Sequence, residues 1–195
     1  MKVGVVSDVH ANEPALAAGL AVLDGERIDH LVVLGDLLSY GARPREVIAR
    51  LQAAARTRPT TFLIGNHDQL YFELQRGDDG YFGQMHGWIK ESARWTVAQL
   101  ADLRLEAAFD WQQELLHDDV LFTHANPFAP GDWTYLNTSD VRERAQTRQE
   151  PDLGFHGAVV PGRFLASRPL AARHRPMDWL ERPGPARQPN RRVAT

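Results

Sequence analysis

Residues 31–41 read Leu-Val-Val-Leu-Gly-Asp-Leu-Leu-Ser-Tyr-Gly. Apolar residues run straight into a glycine and a carboxylate, the pattern of a buried strand whose end delivers Asp36. The same pattern occurs three more times along the chain. Val3–Val6 precedes Asp8-Val9-His10, Thr61–Ile64 precedes Gly65-Asn66-His67-Asp68, and Val120–Phe122 precedes Thr123-His124-Ala125. In an open α/β sheet, ligands gather beyond the carboxyl ends of the strands. Four strands ending in this way bring carboxylate, imidazole and amide groups to one place.

The segments between these strands have helical character. A helix is predicted from about Pro14 to Gly25 with Asn12 as its N-cap, and another from about Pro44 to Ala55 with Val47, Ile48 and Leu51 on one face. With strands at 2–7, 30–34 and 60–64, the first 70 residues read as βαβαβ, hence a parallel sheet. Further on, a short helix is expected after Asp68 through Arg76, broken by Gly77-Asp78-Asp79-Gly80. A longer helix is expected over Gln84–Leu100, with Met85, Trp88, Ile89, Trp95 and Leu100 as its packing face. Leu103–Gln113 and Val120–His124 read as paired strands around a polar turn at His117-Asp118-Asp119. Ser139 is expected to cap a helix to about Glu150, and Gly157–Val160 to form one more strand. Beyond Pro161, prolines recur too often for regular elements.

Composition narrows the classes. The chain has 195 residues, 43% hydrophobic and 24% charged, as in a globular domain. No apolar run approaches the roughly 20 residues of a membrane-spanning helix, so no membrane partner is expected. There is no signal-peptide h-region before the first strand, and a cytoplasmic setting is expected. The chain has no cysteine, which leaves His, Asp, Glu and Asn as donors for a metal. The net charge of −3 conceals an asymmetry: residues 161–195 carry eight Arg against Asp178 and Glu181, so residues 1–160 sum to −9. That acidic balance argues against a non-specific nucleic-acid surface, and a nuclease is the weakest of the functional readings.

Each motif taken alone has an ordinary explanation. Asp8 caps turns in many chains, Gly-Asp is turn chemistry, and a single His124 is most often a satisfied buried histidine. Together, in order and each at a strand end, they point to a pair of divalent cations. Two cations about 3.5–4 Å apart can clamp a phosphate, polarise its oxygens and activate a water. Asp36 is the natural bridge between them, because Gly35 lets another backbone approach closely. Asp8 and His10, two apart in an extended stretch, face one way. Asn66 offers an amide oxygen, His67 a proton for a leaving oxygen, and His124 a further nitrogen.

These residues, with Gly35-Asp36-Leu37-Leu38-Ser39-Tyr40-Gly41, resemble the calcineurin-like metallophosphoesterase family, and within it the small bacterial YfcE-type phosphoesterases. The resemblance covers about residues 1–165, with 166–195 an Arg- and Pro-rich tail. It implies an α/β fold, a four-layer α/β/β/α sandwich whose C-terminal part is incomplete or irregular. It implies two divalent ions, Mn²⁺ first, with Fe, Ni or Zn as alternatives. By the family pattern, Asp8 and His10 hold one ion, Asp36 bridges, and Asn66 and His124 hold the other. His67 stabilises the transition state or acts as acid, with Asp68 as a catalytic partner behind the ligands. The substrate implied is a small phosphate mono- or diester.

One departure stands out. The family closes its site with Gly-His-Thr-His after a short strand, supplying one further histidine to each ion. Here the strand at 157–160 runs into Pro161-Gly162-Arg163-Phe164. His156 precedes that strand, at the wrong end of the sheet to substitute, and His174 lies far into the tail. The expectation is a truncated or decayed member, or one with a disturbed reading frame, with weaker metal binding, one or two ions, and reduced turnover. A catalytically impaired scaffold with a protein partner is the alternative.

Overall fold

The computed structural model describes residues 1–78, 80–83, 85–118, 120–125, 127, 131, 133 and 158–161. Residues 3–63 alternate strand and helix: β1 (Val3–Val6), α1 (Glu13–Gly25), β2 (His30–Val33), α2 (Pro44–Thr57) and β3 (Thr60–Leu63). They continue into α3 (Asn66–Arg76), α4 (Gly80–Gly83), α5 (Gly87–Gln99), β4 (Trp111–Gln112), β5 (Glu114–His117), β6 (Val120–Thr123) and β7 (Ala158–Pro161). Strands β1 to β4 form one parallel sheet in sequential order, with Val5 opposite Val32, Val33 opposite Phe62 and Phe62 opposite Trp111. A second sheet pairs β5 antiparallel and β7 parallel with β6. Sequential order with crossovers of a single hand places the connecting helices on one face.

The pleat of β2 assigns the layers. Leu31 and Val33 pack with Leu16 and Leu20 of α1, Val47, Ile48 and Leu51 of α2, and Leu70 and Tyr71 of α3. The alternate residues Val32 and Leu34 join Leu63 and Phe122 in a separate cluster between the two sheets. Side chains of a strand alternate between faces, so a strand apolar on both must be covered on both. Helices, parallel sheet and second sheet are therefore stacked in that order, the mixed α/β architecture expected. The helix expected from Ser139, which would supply the outer layer, lies outside the described residues. So do His156, His174 and residues 162–195.

Helix α1 begins as expected: Asn12 Oδ1 accepts a hydrogen bond from the Ala15 amide at 3.2 Å, and Pro14 sits in the first turn. Glu13 beside it is buried, held by Arg50 and, at 3.3 Å, by Arg43, which ties α1 to α2.

Three expectations are corrected. Helix α3 starts at Asn66 rather than after Asp68, because Asp68 reaches back to accept the Gly65 amide at 2.9 Å and so caps the first turn. Leu103–Gln113 is not a strand: residues 101–109 form turns, and only Trp111–Gln112 pairs, with β3. The reason is Gln75, whose amide donates to the Leu103 carbonyl at 2.7 Å and accepts the Leu105 amide at 2.9 Å, replacing ladder bonds. The partner of β6 is Glu114–His117 instead. Helix α5 begins at Gly87, and its buried face is Ala93 and Thr96; Leu100 at its end is buried as expected, but Trp88 and Trp95 are exposed. Small residues let α5 approach its neighbours where two indoles would hold it off.

His30, at the start of β2, bonds Thr61 Oγ1 at 3.0 Å and lies 6.3 Å, ring to ring, from His117. Burial, then the nearby His117, lowers its pKa from 6.5. The unfolded chain therefore takes up this proton first as pH falls, so the contribution of His30 to stability declines below about 6.5 and levels off below its folded pKa. The gap in Tm between the wild type and His30→Gln should narrow between pH 7.5 and 5.5. A gap independent of pH would contradict this.

Candidate metal centre

The loops after β1 and β2 are stitched together by backbone hydrogen bonds. The amides of Asp8, His10 and Ala11 donate to the carbonyls of Gly35, Asp36 and Leu37 at 3.1, 3.0 and 2.8 Å. To make these bonds the backbone leaves the extended region, so the expected extended Asp-x-His is corrected: Asp8, His10 and Ala11 have φ of 51°, 47° and 53°. Asp36, Ser39 and Tyr40 are also left-handed, at 54°, 79° and 65°. Left-handed backbone on side chains with a Cβ is costly, and such residues persist where surrounding structure over-determines them. Here they cluster where the motifs meet.

Two glycines permit the approach. A Cβ on Gly35 would lie 2.4 Å from the Gly65 nitrogen, and one on Gly65 would lie 2.3 Å from Asp36 Oδ1. Asp68 completes the junction. Its Oδ2 accepts the amides of Asp36 at 2.7 Å and Gly65 at 2.9 Å, and its Oδ1 accepts that of Leu37 at 3.0 Å. Burial, then the charge of Asp36, raises the pKa of Asp68, while the Leu37 and Gly65 amides pull it back down. Asp68 thus faces backbone and acts as the tie between two loops.

The other motif residues converge on Asp36, which is fully buried. His10 Nε2 lies 3.7 Å from Asp36 Oδ2 and 3.9 Å from Asp8 Oδ1. His124 Nε2 lies 3.6 Å from Asp36 Oδ1 and 3.2 Å from Asn66 Oδ1. The two oxygens of Asp36 therefore face two different donor groups: Asp8 and His10 on one side, Asn66 and His124 on the other. Donor atoms of Asp8, His10 and Asp36 all lie within 4.8 Å of one another. Two ligands at about 2.0–2.2 Å from one ion can be at most about 4.4 Å apart, a limit that the 3.9 and 3.7 Å separations of His10 Nε2 from Asp8 Oδ1 and Asp36 Oδ2 respect.

Both imidazoles are aimed. His10 Nδ1 lies 2.8 Å from the Leu38 carbonyl, and His124 Nδ1 lies 2.6 Å from that of Leu34. A carbonyl only accepts, so each Nδ1 carries the proton and each Nε2 presents a lone pair to Asp36. Orientation of a ligating histidine by a backbone carbonyl is the usual support of a metal site. Neutral nitrogen, amide oxygen and carboxylate form a donor set suited to a divalent first-row ion, and the residues present fit one.

His67 takes a different position. Its amide donates to Asp36 Oδ1 at 2.8 Å, while its ring bonds Ser39 Oγ through Nδ1 at 2.7 Å and Tyr40 Oη through Nε2 at 3.0 Å. Ser39 in turn meets the Tyr71 hydroxyl at 2.9 Å. Sequence reasoning missed Ser39 and Tyr40 as partners of His67, and Tyr71 behind Ser39. Ser39 and Tyr40 stood within the quoted motif, but only the left-handed turn at 39–40 folds them back onto it. Beside Asp8 and His10 opens a cleft of about 510 Å³, also lined by Tyr40 and Arg43. On the opposite side, Trp133 sets its ring 5.9 Å from that of His124.

Residues 1–190 match the family model described as calcineurin-like phosphoesterase. An uncharacterised protein of Methanocaldococcus jannaschii is 30% identical over 138 residues, 69% of this chain and 53% of that protein. A crystal structure of a hypothetical protein from Pyrococcus horikoshii aligns with a TM-score of 0.64 at 22% identity, covering 75% of this chain and 64% of that one. A metallophosphoesterase from Sphaerobacter thermophilus aligns with a TM-score of 0.51 at 29% identity, covering 70% and 51% respectively. The chain thus spans about half the length of the curated relative it matches.

Removing the tie should be felt in stability. Asp68→Ala leaves three buried amides without their acceptor, at about 1–3 kcal/mol each, so unfolding in urea should show a loss of about 3 kcal/mol or more. A loss below about 1 kcal/mol would contradict the role given to Asp68.

Proposed function

This chain belongs to the calcineurin-like phosphoesterase family, and from that premise we propose that it hydrolyses a small phosphate mono- or diester at a centre of two divalent cations. Asp8 and His10 would hold one ion, Asn66 and His124 the other, and Asp36 both. The observation that carries this reading is the carboxylate of Asp36, with one oxygen 3.7 Å from His10 Nε2 and the other 3.6 Å from His124 Nε2. Mn²⁺ is the first candidate, with Fe, Ni and Zn behind it, in a cytoplasmic protein. When bound, the ions supply Lewis acidity toward the phosphate oxygens and a water activated at neutral pH.

The chain's own residues do the rest. Backbone bonds to Leu38 and Leu34 hold the two imidazoles in one tautomer. Asp68 fixes the loop that carries Asp36. His67, oriented by Ser39 and Tyr40, is the group that can donate a proton to a departing alkoxide.

Turnover is proposed to be low. The sequence lacks Gly-His-Thr-His after Val160, so each ion keeps about three protein ligands, counting Asp36 for both. Three protein ligands plus water suffice for catalytic sites, with weaker retention of the metal. The same absence favours a second reading, a family member that binds metal and serves as a scaffold for a protein partner. Among the described residues no helix is long and apolar enough to cross a membrane.

Calorimetric titration with Mn²⁺ should give one to two equivalents bound, with slow cleavage of bis(p-nitrophenyl) phosphate. Changes in groups behind a ligand cost about 10–100-fold, so replacing the shared carboxylate in Asp36→Asn should lower cleavage by at least about 100-fold. Undiminished cleavage in Asp36→Asn would overturn the site. Metal binding without any cleavage would favour the scaffold reading, and brisk turnover would remove the claim of impairment.

A further inference from the structure

Beside the Asp8–His10 side of the cluster stand two large rings that the chemistry above does not use as rings. Tyr40 is 47% exposed and Trp88 62% exposed, with centroids 5.8 Å apart and planes inclined by 33°. The Tyr40 ring continues inward, 4.7 Å from that of His10 and 5.1 Å from that of His67. An unbroken aromatic surface therefore runs from solvent to the metal cluster. Tyr40 also lines the cleft that contains Asp8 and His10.

The surface is held in place. Tyr40 sits in left-handed backbone at φ 65°, and its amide donates to Ser92 Oγ of α5 at 3.1 Å. Ser92 lies four residues after Trp88, on the same face of that helix. One face of α5 thus both clamps the Tyr40 backbone and presents the Trp88 ring beside it. An indole that served only for packing would be buried, as Ala93 and Thr96 of the same helix are. Exposed rings side by side at a site's rim are suited to a planar partner, because every aromatic ring or nucleobase has a face to stack.

We propose that Tyr40 and Trp88 form a stacking platform for the planar ring of an aryl or nucleoside phosphate ester whose phosphate reaches the Asp8–His10–Asp36 cluster. The platform rests on the phosphoesterase reading for what happens to the phosphate, and on the rings alone for the choice of ester. Trp88 is a specificity-determining residue, outside the groups that meet the metal or the proton in flight.

The test compares phenyl phosphate, adenosine 5′-monophosphate and glycerol 3-phosphate on the Mn²⁺-loaded full chain. Calorimetric Kd and, separately, kcat and KM for hydrolysis are measured for the wild type, Trp88→Ala and Trp133→Ala. The wild type should bind at least one of the two ring esters more tightly than the glycerol ester, and which one distinguishes an aryl from a nucleoside substrate. Trp88→Ala should weaken that ring ester by about 5- to 150-fold, seen in Kd and KM rather than kcat, and leave the glycerol ester within about twofold. Equal binding of all three by the wild type, equal loss on all three in Trp88→Ala, or a ring preference lost only in Trp133→Ala would each overturn the platform. Ring preference that depends on Trp88 without hydrolysis of any ester would keep the platform and defeat the phosphoesterase reading.

Discussion

The joining of two strand-end loops through one buried carboxylate, Asp68, is the constraint on which the site depends. Its two oxygens accept the amides of Asp36, Leu37 and Gly65, so the loop after β2 cannot separate from the start of α3 without exposing three buried donors. Gly35 and Gly65 make the contact sterically possible, since a Cβ on either would strike the other loop. The loop after β1 joins through amides 8, 10 and 11. Once these are in place, the donor atoms of Asp8, His10, Asp36 and Asn66 have little freedom left, and His124 is aimed from the second sheet by the Leu34 carbonyl.

The same constraint explains the unusual backbone. Among the described residues, eight non-glycine residues have positive φ, and six of them fall at 8–11 and 36–40. Strain at this density is sustained by the core beneath, where β2 is covered on both faces by helices and by the second sheet. The ligand-bearing loops are thus the strained rim of a well-packed platform, and a bound cation would offset part of the electrostatic cost of placing Asp8, Asp36 and Asp68 so close together.

Much of this was legible in the residues. The apolar run and the Gly-Asp after it gave β2 and the position of Asp36, and Asn12 with Pro14 gave the start of α1. The convergence of the first three motifs followed from parallel topology, whereas His124 reaches them from β6 of the second sheet. What was not legible depended on long-range partners. Gln75 satisfies Leu103 and Leu105 from 28 and 30 residues away, turning an apparent strand into turns. The helical spacing of Met85, Trp88 and Trp95 suggested a buried face, but α5 packs through Ala93 and Thr96, and spacing alone does not choose between two faces. The pairing of His67 with Ser39 and Tyr40 arises from left-handed backbone that no local pattern announced. The strand at the end of the described chain appears as Ala158–Pro161, in parallel register with β6.

The central claim is that one shared carboxylate, Asp36, stands between two cation-binding groups. Anomalous diffraction at the manganese edge from crystals grown with Mn²⁺ tests it most directly. The account predicts density between Asp36 and His10, with a second, weaker or equal peak between Asp36 and His124. Manganese bound only away from Asp36, or no peak at millimolar Mn²⁺ in well-ordered crystals, would contradict it.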